Sequence, residues 1–168
     1  YLTIADIGKE RIRRVIAKMQ KGNEGRLLTE RETPEDLGFR VFKLATSNYR
    51  SWAGVPESTP QAYGAQIALY ADPLVEGWTA ENVLYEAAIR EGYGLNCGIE
   101  QVQGIEGNTV YRVIDPDKGQ WFHICLDDAL QPATLKALEL TADHLFICRD
   151  KALDDEAAAN LALQCRLK

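Results

Sequence analysis

The chain has 168 residues, a hydrophobic share of 46% and a net charge of −6. That length suits one compact domain, or one domain with an attached arm, and that hydrophobic share is enough to build a core. No apolar run approaches the roughly 18–20 residues that span a bilayer, so no membrane partner is expected. The opening Tyr1-Leu2-Thr3-Ile4-Ala5-Asp6 carries an acid and no basic stretch, which argues against a secretion signal.

The charge is uneven. Residues 1–26 hold seven bases and three acids, a net of +4, which leaves −10 for the remainder. An acidic body repels phosphate, so the body is a poor free-standing nucleic-acid binder and more plausibly meets protein. Four cysteines stand singly at Cys97, Cys125, Cys148 and Cys165, with no CxxC pair. They read as free thiols of a reducing cytoplasm, not as disulfides or zinc ligands. The chain lacks an initiator Met, and the expectation is that it was trimmed from something longer.

Along the chain, residues 1–23 are expected to form an amphipathic helical arm. Thr3 followed by Asp6 fits a capping box, and Ile4, Gly8, Ile12, Val15, Ile16 and Met19 recur at helical spacing with bases on both flanks. Residues 24–37 are polar and read as a linker. Residues 38–168 read as one α+β domain: a small mixed or antiparallel sheet with helices packed on it. Within it, Gly38–Leu44 has the β-branched and aromatic content of a strand, and Ser47–Pro60 reads as a loop. Thr59-Pro60 opens a helix whose stripe is Tyr63, Ile67, Tyr70 and Leu74. Thr79 caps the next helix, with Val83, Leu84, Ala87 and Ala88 facing inward, and Gly92 stops it.

Three strands follow at Ile99–Ile105, Thr109–Asp115 and Gln120–Leu126, joined by turns, as an antiparallel meander. Pro132 opens a short helix reaching about Leu140, and Leu145–Cys148 is a strand. Asp154-Asp155-Glu156 caps a last helix, after which Arg166-Leu167-Lys168 begins a further strand.

Catalytic signatures are sparse. Asp115-Pro116-Asp117-Lys118 sits between two strands and reads as a turn. Gly92–Gly98 is Gly-rich but follows a helix and precedes a strand, the reverse of an anion-binding loop, which needs the amino end of a helix. His123 and Cys125 share a strand face two residues apart, whereas a nucleophile and its base usually come from separate elements. Asp115, Asp127 and Asp150 all end strands, where they serve turns and caps; a small enzyme using them with His123 is the remote alternative. No catalytic, cofactor-binding or metal-ligating residue is assigned. The residues singled out for contact with DNA or a partner are Lys9, Arg11, Arg13, Arg14 and Lys18 on the arm, and Tyr49, Arg50 and Trp52 in the aromatic-basic loop. For the arm, the plain reading is solvation of a packed helix. For Trp52 it is core packing, with base stacking or interface anchoring as the alternatives.

Three stretches carry a resemblance. Thr3-Ile4-Ala5-Asp6-Ile7-Gly8-Lys9-Glu10-Arg11-Ile12-Arg13-Arg14 resembles the helix that follows the cofactor-binding part of type III restriction-modification adenine-specific DNA methyltransferases. Leu37–Leu44, with Ser47-Asn48-Tyr49 and Trp52, resembles the strand and loop that come next in that family. Ala152-Leu153-Asp154-Asp155 with Ala159–Gln164 resembles its last helix. In that family the adenine-pocket motif and the cofactor glycine motif both precede these stretches. The resemblance therefore implies the carboxy-terminal, non-catalytic part of such an enzyme: residues 1–23 trailing the methyltransferase core, and an assembly or positioning domain after it. It implies no cofactor in this fragment and S-adenosylmethionine in the parent. It implies as partners the rest of the methyltransferase chain, a second copy, the helicase-nuclease restriction subunit, and DNA through the parent. DNA backbone contact by this domain itself is the alternative.

Overall fold

The computed structural model describes residues 3–23, 37–51, 54–55, 59–70 and 72–168. The chain divides into two compact units, Tyr1–Ala45 and Thr46–Lys168.

In the first unit, helix α1 runs Ile4–Asn23. The Thr3 hydroxyl oxygen accepts from the Asp6 amide at 3.2 Å and its O–H donates to the Asp6 carboxylate at 2.9 Å, as the capping reading expects. Residues 37–47 take no regular secondary structure, which corrects the expected strand at 38–44. A strand propensity expresses fit to a pleated, half-buried surface. Here Phe39, Val41, Phe42 and Leu44 are all exposed, so that surface is missing.

The second unit is an α+β fold on a five-stranded mixed sheet in the order β1-β2-β3-β4-β5. Helices α2 (Pro60–Tyr70) and α3 (Ala80–Arg90) precede it, and strands β1 (Gly98–Gln101), β2 (Val110–Asp115) and β3 (Gln120–Cys125) form the antiparallel meander. Helix α4 (Pro132–Ala137) leads to β4 (Leu145–Cys148), and α5 (Asp155–Gln164) leads to β5 (Arg166–Leu167). These last two strands join parallel to β3, as a strand reached through a helical crossover does.

Alternation of side chains divides the core between the two sheet faces. Val113, Phe122, Ile124 and Leu145 pack beneath α3, against Val83, Leu84, Ala87 and Ala88. Val110, Cys125 and Phe146 pack on the other face with Leu138, Leu161 and Cys165. Thr79 caps α3 by accepting from the Asn82 amide at 3.3 Å, and Asp154 caps α5 by accepting from Ala157 at 2.7 Å. Gly92 follows α3 at φ +79, the left-handed conformation that ends a helix cheaply only at glycine. Gly107 turns at φ +90, where an added Cβ would lie 2.9 Å from Gln131 Cγ.

Three expectations shift. Strand β1 ends at Gln101 and α4 at Ala137, both earlier than the apolar pattern suggests. Helix α2 buries none of its residues. Tyr63 and Ile67 are exposed, and of the expected stripe only Leu74, beyond the helix, reaches the core.

Candidate functional site

The arm residues lie where the sequence reading put them, on α1. Lys9 pairs with Asp6 at 3.1 Å and Arg14 with Glu10 at 2.9 Å, one helical turn apart. The Arg13 guanidinium stands 5.9 Å from the Phe39 ring centroid. Arg11 and Lys18 are exposed. The apolar stripe between these bases is also exposed: Ile4 at 89%, Ile12 at 48%, Val15 at 55% and Met19 at 41%. Burying such a stripe is what ordinarily stabilises a surface helix, so α1 presents an unused hydrophobic face.

The loop residues fare differently. Glu86 on α3 gathers the Ser47 hydroxyl at 2.5 Å, the Asn48 amide at 2.7 Å and the Asn48 side chain at 2.9 Å. Burial pushes the Glu86 carboxyl up, but these bonds and the Arg90 charge outweigh it and hold the group below the usual range. Tyr49 forms a bridge with Leu74, and its ring lies 4.4 Å from the Arg90 guanidinium. Tyr49 is thus part of the packed body. Arg50 is exposed, although its amide donates to the Pro73 carbonyl at 2.7 Å. Trp52 lies outside the described residues.

The strand-end acids do not converge. Asp115 pairs with Gln120 at the start of β3, whereas Asp127 and Asp150 follow the far ends of the parallel strands β3 and β4. Asp115 accepts from the amides of Gly94, Asp117 and Lys118 at 3.0–3.3 Å. Burial raises its pKa and these amides lower it further still, so it stays ionised as a turn cap. Asp127 accepts from the Asn108 side chain at 2.8 Å and the Thr109 amide at 2.9 Å. The small-enzyme alternative therefore loses its geometry. Among the described residues no group of three or more His, Cys, Asp or Glu could hold a metal ion.

His123 is buried, and its Nδ1 has no hydrogen-bond partner among the described residues. Burial first, then the nearby Arg112 and His144, push its pKa down to about 4. Burial likewise pushes the Cys125 thiol up to about 11. An imidazole made this weakly basic is poorly suited to draw the proton from a thiol held this high, so the two do not form an activated nucleophile–base pair.

Two constellations escaped the sequence reading. Arg149, 9% exposed, bonds Asp72 at 2.6 Å, pairs also with Asp128, and lies 5.7 Å from the Trp78 ring. The other is a cleft of about 410 Å³ at the amino ends of β3, β4 and β5, lined by Glu91, Tyr93, Trp121, Asp143, His144 and Arg166 among others. Trp121 stands 4.6 Å from His144 and 4.9 Å from His123 between ring centroids. A Trp two residues from a His on a strand is the one local hint of it.

No family model, no curated protein and no solved structure matches this chain. Among the described residues no helix is long and apolar enough to cross a membrane.

Proposed function

We propose that this chain is the non-catalytic carboxy-terminal assembly part of an S-adenosylmethionine-dependent adenine-N6 DNA methyltransferase of a type III restriction-modification system, working in the cytoplasm. The reading rests on the resemblance of the two chain ends to that family. The observation that carries it is the exposed stripe Ile4, Ile12, Val15 and Met19 on α1, flanked by bases. A helix trailing a methyltransferase core needs such a face to bury against that core. The acidic second unit, with eighteen acids against nine bases in residues 46–168, suits contact with protein more than with phosphate. Its partners on this reading are the rest of the methyltransferase chain, a second copy and the restriction subunit. The cofactor belongs to the parent enzyme.

Calorimetry on the purified chain is expected to give no heat of binding with S-adenosylmethionine; micromolar affinity would end the proposal. Joined to the coding sequence upstream in its native gene, the chain is expected to support adenine methylation. Val15→Asp is then expected to lower it by at least about tenfold, since a charge would enter a buried seam.

DNA backbone contact through the arm is the second reading, favoured by the exposure of Arg11 and Lys18. Charge reversal at both should then flatten the salt dependence of DNA binding by the joined enzyme. An unchanged salt slope would discard it.

A further inference from the structure

Three charged residues line the cleft at the amino ends of β3, β4 and β5: Glu91, Asp143 and Arg166. They are not equivalent. Glu91 is already held, since the Lys168 ammonium donates to its two carboxylate oxygens at 2.8 and 2.7 Å. Arg166 Nη2 donates to the Asp143 main-chain carbonyl at 2.8 Å, a neutral acceptor. Among the described residues no ion pair joins the guanidinium to the Asp143 carboxylate, or either group to another residue. Elsewhere in the second unit such neighbours neutralise each other, as Arg149 does with Asp72 and Arg90 with Glu86. The cleft therefore offers one carboxylate and one guanidinium, adjacent but not partnered. The Arg166 charge also reaches the Tyr93 phenol: burial chiefly, then Asp115, raise the Tyr93 pKa, and Arg166 draws it down.

We propose that this cleft binds a free α-amino acid with an aromatic side chain, its ammonium on Asp143 and its carboxylate on Arg166. In an amino acid the ammonium nitrogen and the carboxylate carbon sit on one carbon, about 2.5 Å apart. The ligand thus presents two opposite charges side by side, as the cleft does. Its ring lies against Trp121, Tyr93 and the buried Leu145. The volume, about 410 Å³, falls in the range of pockets that enclose a small ligand. The wall is held in place beforehand. Trp121 stands 4.6 Å from the His144 ring, whose Nδ1 accepts from the Thr141 amide at 3.2 Å, and Tyr93 stands edge-on to buried Phe122 at 5.1 Å. Side chains already fixed cost little ordering entropy on binding.

Charge selects the class of ligand. A carboxylate without a cation would leave Asp143 unanswered and approach a unit of net charge −9. A cation without a carboxylate would leave Arg166 unanswered. A dipolar ligand meets both groups and adds no net charge. No α1 residue takes part, so this site and the methyltransferase reading can fail separately.

The test uses the whole 168-residue chain and L-phenylalanine, followed by NMR at the Trp121 indole and the His144 ring. Saturable shifts at both are expected, with affinity of about millimolar or tighter. N-acetyl-L-phenylalanine lacks the cation and L-phenylalaninamide lacks the carboxylate; each is expected to bind at least about threefold more weakly. Asp143→Asn and Arg166→Gln, both at exposed positions, are expected to weaken L-phenylalanine by a similar factor without changing the melting temperature. Absence of saturable shifts up to the solubility limit would overturn the proposal. So would wild-type affinity in both variants. Equal or tighter binding of the amide would show a cation site, and of the acetylated acid an anion site, and either result would overturn it too.

Discussion

Arg149 Nη2 donates to Asp72 Oδ2 at 2.6 Å across 77 positions of sequence, and this bond ties the loop before α3 to the end of β4. Arg149 is buried while Asp72 is nearly half exposed, so the two ends of the pair respond differently to mutation. Arg149→Ala leaves a cavity under Trp78 and uncouples two carboxylates, and is expected to destabilise the second unit by about 2–3 kcal/mol. Asp72→Asn is expected to cost under about 1 kcal/mol, because solvent and Asp128 still serve the arginine. Urea unfolding of the two variants decides it; equal losses would contradict the asymmetry.

His123 makes stability sensitive to mild acid. Its folded pKa of about 4 lies below the ordinary 6.5, so between those values the unfolded chain binds the proton first. Its contribution is therefore complete above pH 6.5 and declines as pH falls toward 4. The full shift corresponds to about 3 kcal/mol. His123→Gln is expected to flatten the loss between pH 6.5 and 4, measured by urea midpoints. Parallel curves for the two proteins would assign the acid sensitivity elsewhere.

The thiols are expected to resist modification. Cys125 is pushed up to about 11 and Cys148 to about 12, both chiefly by burial. At pH 8 the thiolate fraction at Cys125 then falls about 100-fold below that of an ordinary thiol. Reaction with Ellman's reagent should be correspondingly slow in the folded chain and fast in urea. Rapid labelling of Cys125 in the native protein would refute this.

Glu86 fastens residues 47–48 to α3 through three hydrogen bonds. Glu86→Ala is expected to destabilise by about 1–2 kcal/mol. It should also speed hydrogen exchange at Val75, whose amide donates to the Asn48 carbonyl at 2.8 Å. Exchange unchanged at Val75 would show that the loop is held by other means.

Local chemistry was legible wherever a residue acts on its own neighbours. The caps at Thr3, Thr79 and Asp154, the stop at Gly92 and the parting of Asp115 to a turn follow from interactions two to four residues long. Strand 38–44 and the α2 stripe were misread for one reason. Both have the composition of buried elements, yet burial depends on a neighbouring surface that composition does not specify. The arm bases could be named as solvent-facing, whereas Tyr49 could not be assigned to the body, since Glu86 and Arg90 come from 37 and more positions later.

By itself, then, the sequence determined the α+β class, the helix starts, the meander and the charge contrast between arm and body, because periodicity and capping are properties of short windows. Only the tertiary structure decided that β4 and β5 run parallel to β3, that Asp115 lies at the opposite end of the sheet from Asp127 and Asp150, and that Tyr93, His144 and Arg166 meet around Trp121. Those relations join residues far apart in the chain, and they are fixed by which faces must leave water together.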